Sequence, residues 1–216
     1  IDPHVDGDAG RLSDQSLRIV LDLDPENVLA NNNLGYRMLT RDEDIDEAAR
    51  MIEIAYRAEP DSPPYADSMG WARYKQGIFE DKKDPETGEV VMRGAISLLR
   101  EARRLAEQSR DEVYQFIVTP IVADHLGDAL WAAGRREEAL QAWDDAWAGL
   151  EPAMRLIDQM GAVDLESTLV ELRKHSEAAR DKARAARSGL EPQIESIPGL
   201  KPDEPPRNRR ATPQQQ

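Results

Sequence analysis

A four-residue phrase with glycine in its third position occurs three times in the 216-residue chain. The copies are Asn-Leu-Gly-Tyr at 33–36, Ser-Met-Gly-Trp at 68–71 and His-Leu-Gly-Asp at 125–128. A stretch with alanines at helical spacing follows each copy, for example Ala48, Ile52 and Ala55 after the first. The repeated unit is therefore predicted to be a pair of helices. Because one such pair cannot bury its own apolar face, the pairs must stack into an array.

The distances between the three glycines define the units. Gly35 and Gly70 are 35 residues apart, whereas 57 residues separate Gly70 from Gly127, so extra segments interrupt the second interval. Residues 84–88 have turn chemistry between flanks that alternate charged and apolar residues, which predicts a short β-ribbon or a loop. Residues 112–118 are apolar enough to be buried, which predicts an extra helical turn. The chain thus divides into a partial repeat at 13–26, complete units at 27–61, 62–109 and 119–152, and insertions at about 78–94 and 110–118.

The two ends of the chain differ from the repeats. Residues 1–12 are polar and acidic and are predicted to be a flexible lead-in. The partial repeat at 13–26 looks like the second helix of a pair, which predicts more repeats upstream in the native protein. Residues 153–188 place Leu165, Leu169 and Leu172 on one face and charges elsewhere, as in helices that cap an array. Residues 189–216 are rich in proline, glutamine and arginine and are predicted to be a disordered tail.

Composition and charge exclude several classes of protein. Aromatic residues make up only 5% of the chain and hydrophobic residues 40%, which favours an all-α fold. A net charge of −14 argues against nucleic-acid binding, which needs a concentrated basic surface. No apolar run approaches the roughly 20 residues that cross a bilayer. The absence of cysteine leaves the compartment undetermined, so either side of a bacterial membrane remains open.

Motifs for catalysis or for metal and cofactor binding are missing from the sequence. The three histidines have no metal-ligand spacing, and neither a nucleophile elbow nor a phosphate-binding glycine loop occurs. The carboxylates at 42–44 suggest calcium, but acidic residues at a helix N-terminus explain them better. We therefore predict no enzyme activity, no cofactor and no metal site.

The recurring Leu-Gly phrases and the alanines that follow them resemble tetratricopeptide repeats over about residues 13–152. The phrase at 65–71 is similar to that of bacterial members in particular. The resemblance implies a right-handed superhelical stack of antiparallel helix pairs, in which the first helix of each pair lines a concave surface. The residues that helical spacing places on that surface are Asn32, Tyr36, Leu39, Asp67, Trp71, Tyr74, Lys75, Asp124, Asp128 and Trp131. Trp71 and Trp131 could equally be core residues.

The candidate surface is aromatic and acidic, which bears on the kind of ligand. Family members that clamp a C-terminal carboxylate use lysine, asparagine and arginine. This chain departs from that pattern, with Asn32, Tyr36, Ile121 and His125 at the corresponding positions. Because Asp67 and its acidic neighbours would repel a carboxylate, the expected ligand is neutral, basic or apolar rather than acidic.

The function predicted from the sequence is that of a protein–protein interaction module, which binds a peptide or protein segment in this surface for complex assembly. Two alternatives remain open. The repeats could be an architectural or oligomerising segment of a longer protein. They could also be the accessory domain of an enzyme whose catalytic part lies elsewhere.

Overall fold

The structure is a computed structural model that describes residues 8–160 and 166–199. The helices in these two ranges are α1 (Asp8–Leu23), α2 (Val28–Thr40), α3 (Ile45–Ala58), α4 (Pro63–Lys75), α5 (Ala95–Gln108), α6 (Thr119–Ala132), α7 (Arg136–Ala148), α8 (Leu150–Met160) and α9 (Glu166–Arg187). The strands β1 (Lys82–Lys83) and β2 (Val90–Met92) form one small antiparallel sheet. No helix in the described ranges is both long and apolar enough to cross a membrane.

The helices stack as pairs, in the order that the repeated phrase predicts. α2 packs on α3, α4 on α5 and α6 on α7, and each pair contacts the next. Side chains fix the starts of the first pair, since Asn27 accepts a hydrogen bond from the Ala30 amide and Asp44 accepts one from the Glu47 amide. The predicted all-α stack of helix pairs with a small β-ribbon is confirmed.

The glycines of the repeated phrase lie where the two helices of a pair approach most closely. A Cβ atom added at Gly35 would lie 2.9 Å from the Ala48 carbonyl oxygen. One added at Gly127 would lie 2.3 Å from the Trp143 indole. The phrase therefore marks packing positions, which is why it recurs in each unit.

The first insertion is a β-hairpin whose base is tied to the array and whose tip is exposed. β1 and β2 flank a turn in which Asp84 accepts hydrogen bonds from the Glu86 and Thr87 amides, both at 2.8 Å. At the base, the Asp81 carboxylate accepts hydrogen bonds from the Gly94 amide and the Ser97 hydroxyl. Of the two predicted outcomes, the ribbon is the one that forms.

The second insertion contains a π-helical turn, Tyr114–Val118, that leads directly into α6. Ile117 of this turn is buried with Leu150, Ala153 and Leu172 in a small apolar cluster at the C-terminal end of the array. The main core cluster extends through the three helix pairs. Leu169 packs against the small cluster too, whereas Leu165 lies outside the described residues.

The ends of the described chain differ from the expected lead-in and tail. α1 begins at Asp8, so residues 8–12 are helical rather than part of a flexible lead-in. Residues 189–199, expected to start a disordered tail, run back over the helix pairs with Pro192 buried. Their order has a physical cause that composition does not reveal, because the hydrogen-bond partners of this polar segment come from distant helices.

Candidate functional site

The ten candidate residues lie on α2, α4 and α6, the first helices of the three pairs. We call the surface that they form the groove. Nine of the ten are buried, and Tyr36 is half-buried. Leu39 is fully buried in the main core cluster, and Trp71, Tyr74 and Trp131 belong to the same cluster, so Trp71 and Trp131 are core residues as well as members of this face. α9 or residues 190–198, which we call the strap, contact Tyr74, Lys75, Asp124, Asp128 and Trp131 of this set.

An aromatic stack forms the middle of the groove. The Trp71 ring lies 4.5 Å from the Tyr74 ring and 4.2 Å from the His125 ring, measured between centroids, and both pairs are stacked. On the far side, the edge of the His175 ring from α9 meets His125 at 5.0 Å. The Lys75 ammonium lies 5.6 Å from the centre of the Trp71 ring. Some of the aromatic side chains predicted for this surface therefore pack against one another within the chain.

Asp67 pairs with His125 inside this stack. His125 Nδ1 donates to the Asp67 carboxylate, with its two oxygens at 2.9 and 3.1 Å. Burial alone lowers the pKa of His125, but the negative charge of Asp67 and this hydrogen bond outweigh it, so the pKa is raised above its ordinary value. His125 Nε2 is buried and has no hydrogen-bond partner among the described residues.

Asp124 and Asp128 share one ammonium group supplied by α9. Lys182 Nζ lies 2.8 Å from Asp124 Oδ1 and 2.7 Å from Asp128 Oδ1. His175 Nδ1 donates to the other Asp124 oxygen at 2.9 Å, and the Trp143 indole donates to Asp128 at 3.0 Å. Asp124 and Asp128, which make the groove acidic in sequence, are thus paired with basic side chains of the same chain.

The pKa values of Asp124 and Asp128 differ because Lys182 and His175 do not stabilise the two carboxylates equally. Burial raises the pKa of Asp124, but the charges and hydrogen bonds of Lys182 and His175 outweigh this effect and hold the pKa at about 2. Burial raises the pKa of Asp128. The positive charge of Lys182 lowers it and the negative charge of Asp124 raises it, so the pKa of Asp128 remains above its ordinary value. Burial lowers the pKa of Lys182 in isolation, yet the two carboxylates raise it well above its ordinary value.

Tyr36 and Asn32 lie at the first-pair end of the groove. Burial raises the pKa of Tyr36 well above its ordinary value, and the charges of Asp67 and Glu171 raise it further. Glu171 belongs to α9. Asn32 Oδ1 is buried with no hydrogen-bond partner in the described ranges.

The strap crosses the groove from the third helix pair toward the first. At its start, the Trp131 indole donates to Glu191 Oε1 at 2.7 Å. Farther on, the Glu195 amide donates to Asp128 Oδ2 at 3.1 Å, and the Tyr74 hydroxyl donates to the Glu195 carbonyl at 2.5 Å. Together with Lys75, whose contact with Ser196 follows below, Tyr74, Asp128 and Trp131 make four of the ten candidate residues that contact the strap directly.

The end of the strap reaches the turn between α2 and α3. The Lys75 ammonium donates to the Ser196 carbonyl at 2.9 Å and to Asp42 Oδ1 at 2.9 Å. The Ser196 hydroxyl donates to Asp42 Oδ2 at 2.8 Å. Ile194 and Ile197 pack, partly buried, against the main core cluster. The strap is therefore held by main-chain hydrogen bonds and by two aliphatic side chains.

Sequence reasoning missed the groove residues that come from α9 and the strap. One signal for α9 was present: the apolar stripe that includes Leu172 continues at helical spacing through His175, Ala179 and Lys182. A histidine and a lysine on the buried stripe of an otherwise charged helix indicate acidic partners elsewhere. The strap carried no comparable signal.

Part of the chain is similar in sequence to a protein whose name describes TPR repeats. No protein-family model matches the chain. A 68-residue stretch, 32% of the chain, is 40% identical to a TPR repeat-containing protein, PA4667, of Pseudomonas aeruginosa, and spans only 12% of that protein's length. Among solved structures, the chain is similar to the crystal structure of MamA, with a TM-score of 0.42 and 15% identity over 82% of this chain and 90% of that one.

Proposed function

We propose that this chain of tetratricopeptide repeats is a protein–protein interaction module, which binds a peptide or protein segment in the groove during complex assembly. Similarity to tetratricopeptide-repeat proteins supports an interaction or scaffold role in general. The groove as binding surface, and the chemistry of its ligand, are the specific parts of the proposal. They require neither catalysis nor a cofactor.

The observation that carries the proposal is the position of the strap. The strap already lies across α6 and α4 and reaches the turn that follows α2. Tyr74 and Lys75 donate hydrogen bonds to its carbonyl groups, and Asp128 accepts one from its amide. Groups that hold one extended chain through its backbone can hold another of different sequence.

The ligand is proposed to be neutral, basic or apolar where it crosses the middle of the groove. The Lys182 ammonium is already engaged by both Asp124 and Asp128, so it is not free to receive a carboxylate. The strap is compatible with this preference. It places Ile194 against the core, while the side chains of Glu191 and Glu195 are 75% and 55% exposed.

One observation favours the architectural alternative. Ile19, Leu23 and Leu29 expose large apolar side chains at the α1 end of the array, and Leu23 is 84% exposed. Such a face suits a further stacked helix, from the same protein or from another copy. The repeats would then extend a longer scaffold, with or without a ligand in the groove.

A peptide-display selection on the immobilised chain tests the groove hypothesis. The selection is run on the wild-type chain and on a variant with Ile194→Asp and Ile197→Asp, which loses the aliphatic contacts of the strap. Selected peptides are then titrated against the same proteins carrying Tyr74→Phe and Lys75→Met. Peptides whose affinity falls at least tenfold with the groove substitutions support the proposal. If every selected peptide binds equally without Tyr74 and Lys75, the groove is not the binding surface.

A further inference from the structure

We propose that the strap is an internal competitor for the groove, and that a partner enters by replacing it with a segment that makes the same contacts. This inference rests on the proposed function, because it describes how the same groove is closed and what opens it. Its basis is a difference between the two parts of the chain that cover the groove.

α9 is an integral part of the fold. Leu172, Ser176 and Ala179 on its inner face are fully buried, and Lys182 is buried between two carboxylates. Removing this helix would leave Asp124 and Asp128 buried without a counterion. α9 therefore stays in place when the groove opens.

The strap has the opposite character. It contains no regular secondary structure, and Glu191, Gln193, Glu195 and Ser196 are exposed, with only Pro192 buried. Segments without regular secondary structure and with few buried apolar contacts are the first to open in a folded protein. The strap can therefore leave without disturbing the helix pairs.

The contacts of the strap specify the partner. Near Trp131 the groove binds a carboxylate, because the Trp131 indole donates to Glu191. The Arg136 guanidinium lies 3.7 Å from the same carboxylate, and it also lies 3.7 Å from the centre of the Trp131 ring. Five residues later, Asp42 accepts a hydrogen bond from the Ser196 hydroxyl.

Between and beyond these two polar contacts, the groove receives aliphatic side chains. Ile194 lies three residues after Glu191, and Ile197 lies six residues after it. The partner is thus an extended segment with an acidic residue, an aliphatic residue three positions later, a hydroxyl-bearing residue after five and a second aliphatic residue after six. Its acidic end lies at the edge of the groove, next to Trp131 and away from Asp124 and Asp128, which pair with Lys182.

Attachment to α9 gives the strap an advantage over any free segment. Gly189, with φ of 74°, turns the chain directly after α9 ends at Arg187, so the strap begins beside its own site. Short tethers of this kind give effective concentrations on the order of millimolar. A free peptide of equal intrinsic affinity is therefore excluded at ordinary concentrations, and its apparent affinity falls with the fraction of open groove.

The test measures binding of the chain's own strap sequence in trans. A fluorescein-labelled peptide of residues 189–199 is titrated by anisotropy into the full chain and into the Ile194→Asp, Ile197→Asp variant. The matched control is Gln193→Asp, which adds a negative charge at an exposed position of the same segment. We expect the double variant to bind the peptide at least tenfold more tightly than the wild-type and control chains, and Tyr74→Phe with Lys75→Met to abolish that gain.

Two outcomes would overturn the inference. A folded double variant that does not bind the peptide shows that the strap sequence is not a groove ligand. Equal binding to wild type and double variant shows that the strap does not compete. If circular dichroism shows the double variant to be unfolded, the single variant Ile197→Asp is titrated under the same criteria. These results differ from failure of the proposed function, in which display selection yields no groove-dependent peptide of any sequence.

Discussion

Lys182 holds the C-terminal helix to the array. Its ammonium contacts both Asp124 and Asp128, and all three side chains are buried. Replacing Lys182 with methionine keeps most of the apolar volume but leaves two buried carboxylates sharing His175 and the Trp143 indole. We expect the free energy of unfolding, measured in urea, to fall by about 3–5 kcal/mol.

The exposed Lys174 on the same helix provides the control for this variant. Lys174→Met removes the same charge from α9, and we expect a change within about 0.5 kcal/mol. Equal losses of unfolding free energy for both variants would mean that only the total charge of α9 affects stability, and that the buried contacts of Lys182 contribute nothing.

His125 makes the stability of the array depend on pH. Because its pKa is raised in the folded chain, its contribution is fully present below the ordinary value of 6.5 and is lost as the pH rises through the raised pKa. Asp67 is the principal cause of the raised value, with Asp124 and Asp128 adding to it. We expect wild type to lose unfolding free energy, relative to His125→Gln, as the pH rises from 6.5 through the raised pKa of His125.

Asp67→Asn serves as the companion variant in this pH series. It removes the carboxylate that raises the pKa of His125, so the pH dependence should weaken as it does in His125→Gln. A wild-type dependence that both variants retain unchanged would assign the effect to other groups.

At the scale of single residues, the sequence predicted one side of the groove and missed the other. Tyr74, Lys75, Asp128 and Trp131 were found because helical spacing brings them to one face of α4 or α6. The burial of Tyr74, Lys75 and Asp128 was not predicted, since it depends on contacts with residues more than fifty positions away, whereas burial of Trp131 was one of two alternatives left open. Asp124, for example, contacts Lys182, which lies 58 residues later in the sequence, and no local sequence pattern predicts that contact.

The paired helices depend on glycine to different degrees. At Gly127, an added Cβ would overlap the buried Trp143 indole, which the hydrogen bond to Asp128 holds in place. At Gly70, it would meet the Leu99 side chain at 2.6 Å, which can rotate more readily than an indole. We expect Gly127→Ala to destabilise the chain by about 3 kcal/mol and Gly70→Ala by about 1 kcal/mol.

Thermal unfolding of the two glycine variants checks this order. The higher helix propensity of alanine offsets part of each loss equally, so the difference between the variants reports the close contact. A larger loss at Gly70 than at Gly127 would contradict the packing that the structure gives for the third pair.

The β-hairpin is an appendage of the second pair. The Val90 and Val91 side chains are exposed, and the hairpin is tied to the array at its base through Asp81. Replacing residues 83–91 with a two-residue turn should shift the melting temperature by less than about 3 °C. Asp81→Ala, which leaves the Gly94 amide and the Ser97 hydroxyl without their acceptor, should lower it more. A shortened hairpin that destabilises the chain more than Asp81→Ala would show that the hairpin itself stabilises the pair.

Elements with local signals were predictable from the sequence, and the strap was not. The carboxylates at 42–44 marked a helix N-terminus, and residues 84–88 marked the hairpin turn. The strap has the composition of a disordered tail, with Pro192, Pro198 and exposed glutamates. Its order depends on Tyr74, Lys75 and Asp128, so it could be predicted only with the groove already built.

As a whole, the molecule is a stack of helix pairs whose groove is covered by its own C-terminal residues. α9 supplies the cations that the acidic first helices require, and the strap then occupies the surface left open. Binding of a partner is thereby coupled to release of the strap, because both need Tyr74 and Lys75. The apparent affinity for a partner is set by the difference between two similar sets of contacts.

A reversible lock on the strap tests this account most directly. The chain contains no cysteine, so Asp42→Cys with Ser196→Cys introduces a single pair where Asp42 Oδ2 and the Ser196 hydroxyl are 2.8 Å apart. Each single-cysteine variant serves as a control. Disulfide formation is scored in the double-cysteine chain in which Ile194 and Ile197 are intact. The labelled peptide of residues 189–199 is then titrated into the oxidised and the reduced forms of this chain and of one that also carries Ile194→Asp and Ile197→Asp. We expect an intramolecular disulfide to form on mild oxidation, peptide binding to be lost in the oxidised protein, and binding to return on reduction. Failure of the pair to form a disulfide, or equal peptide binding in both redox states, would contradict a strap that lies in the groove.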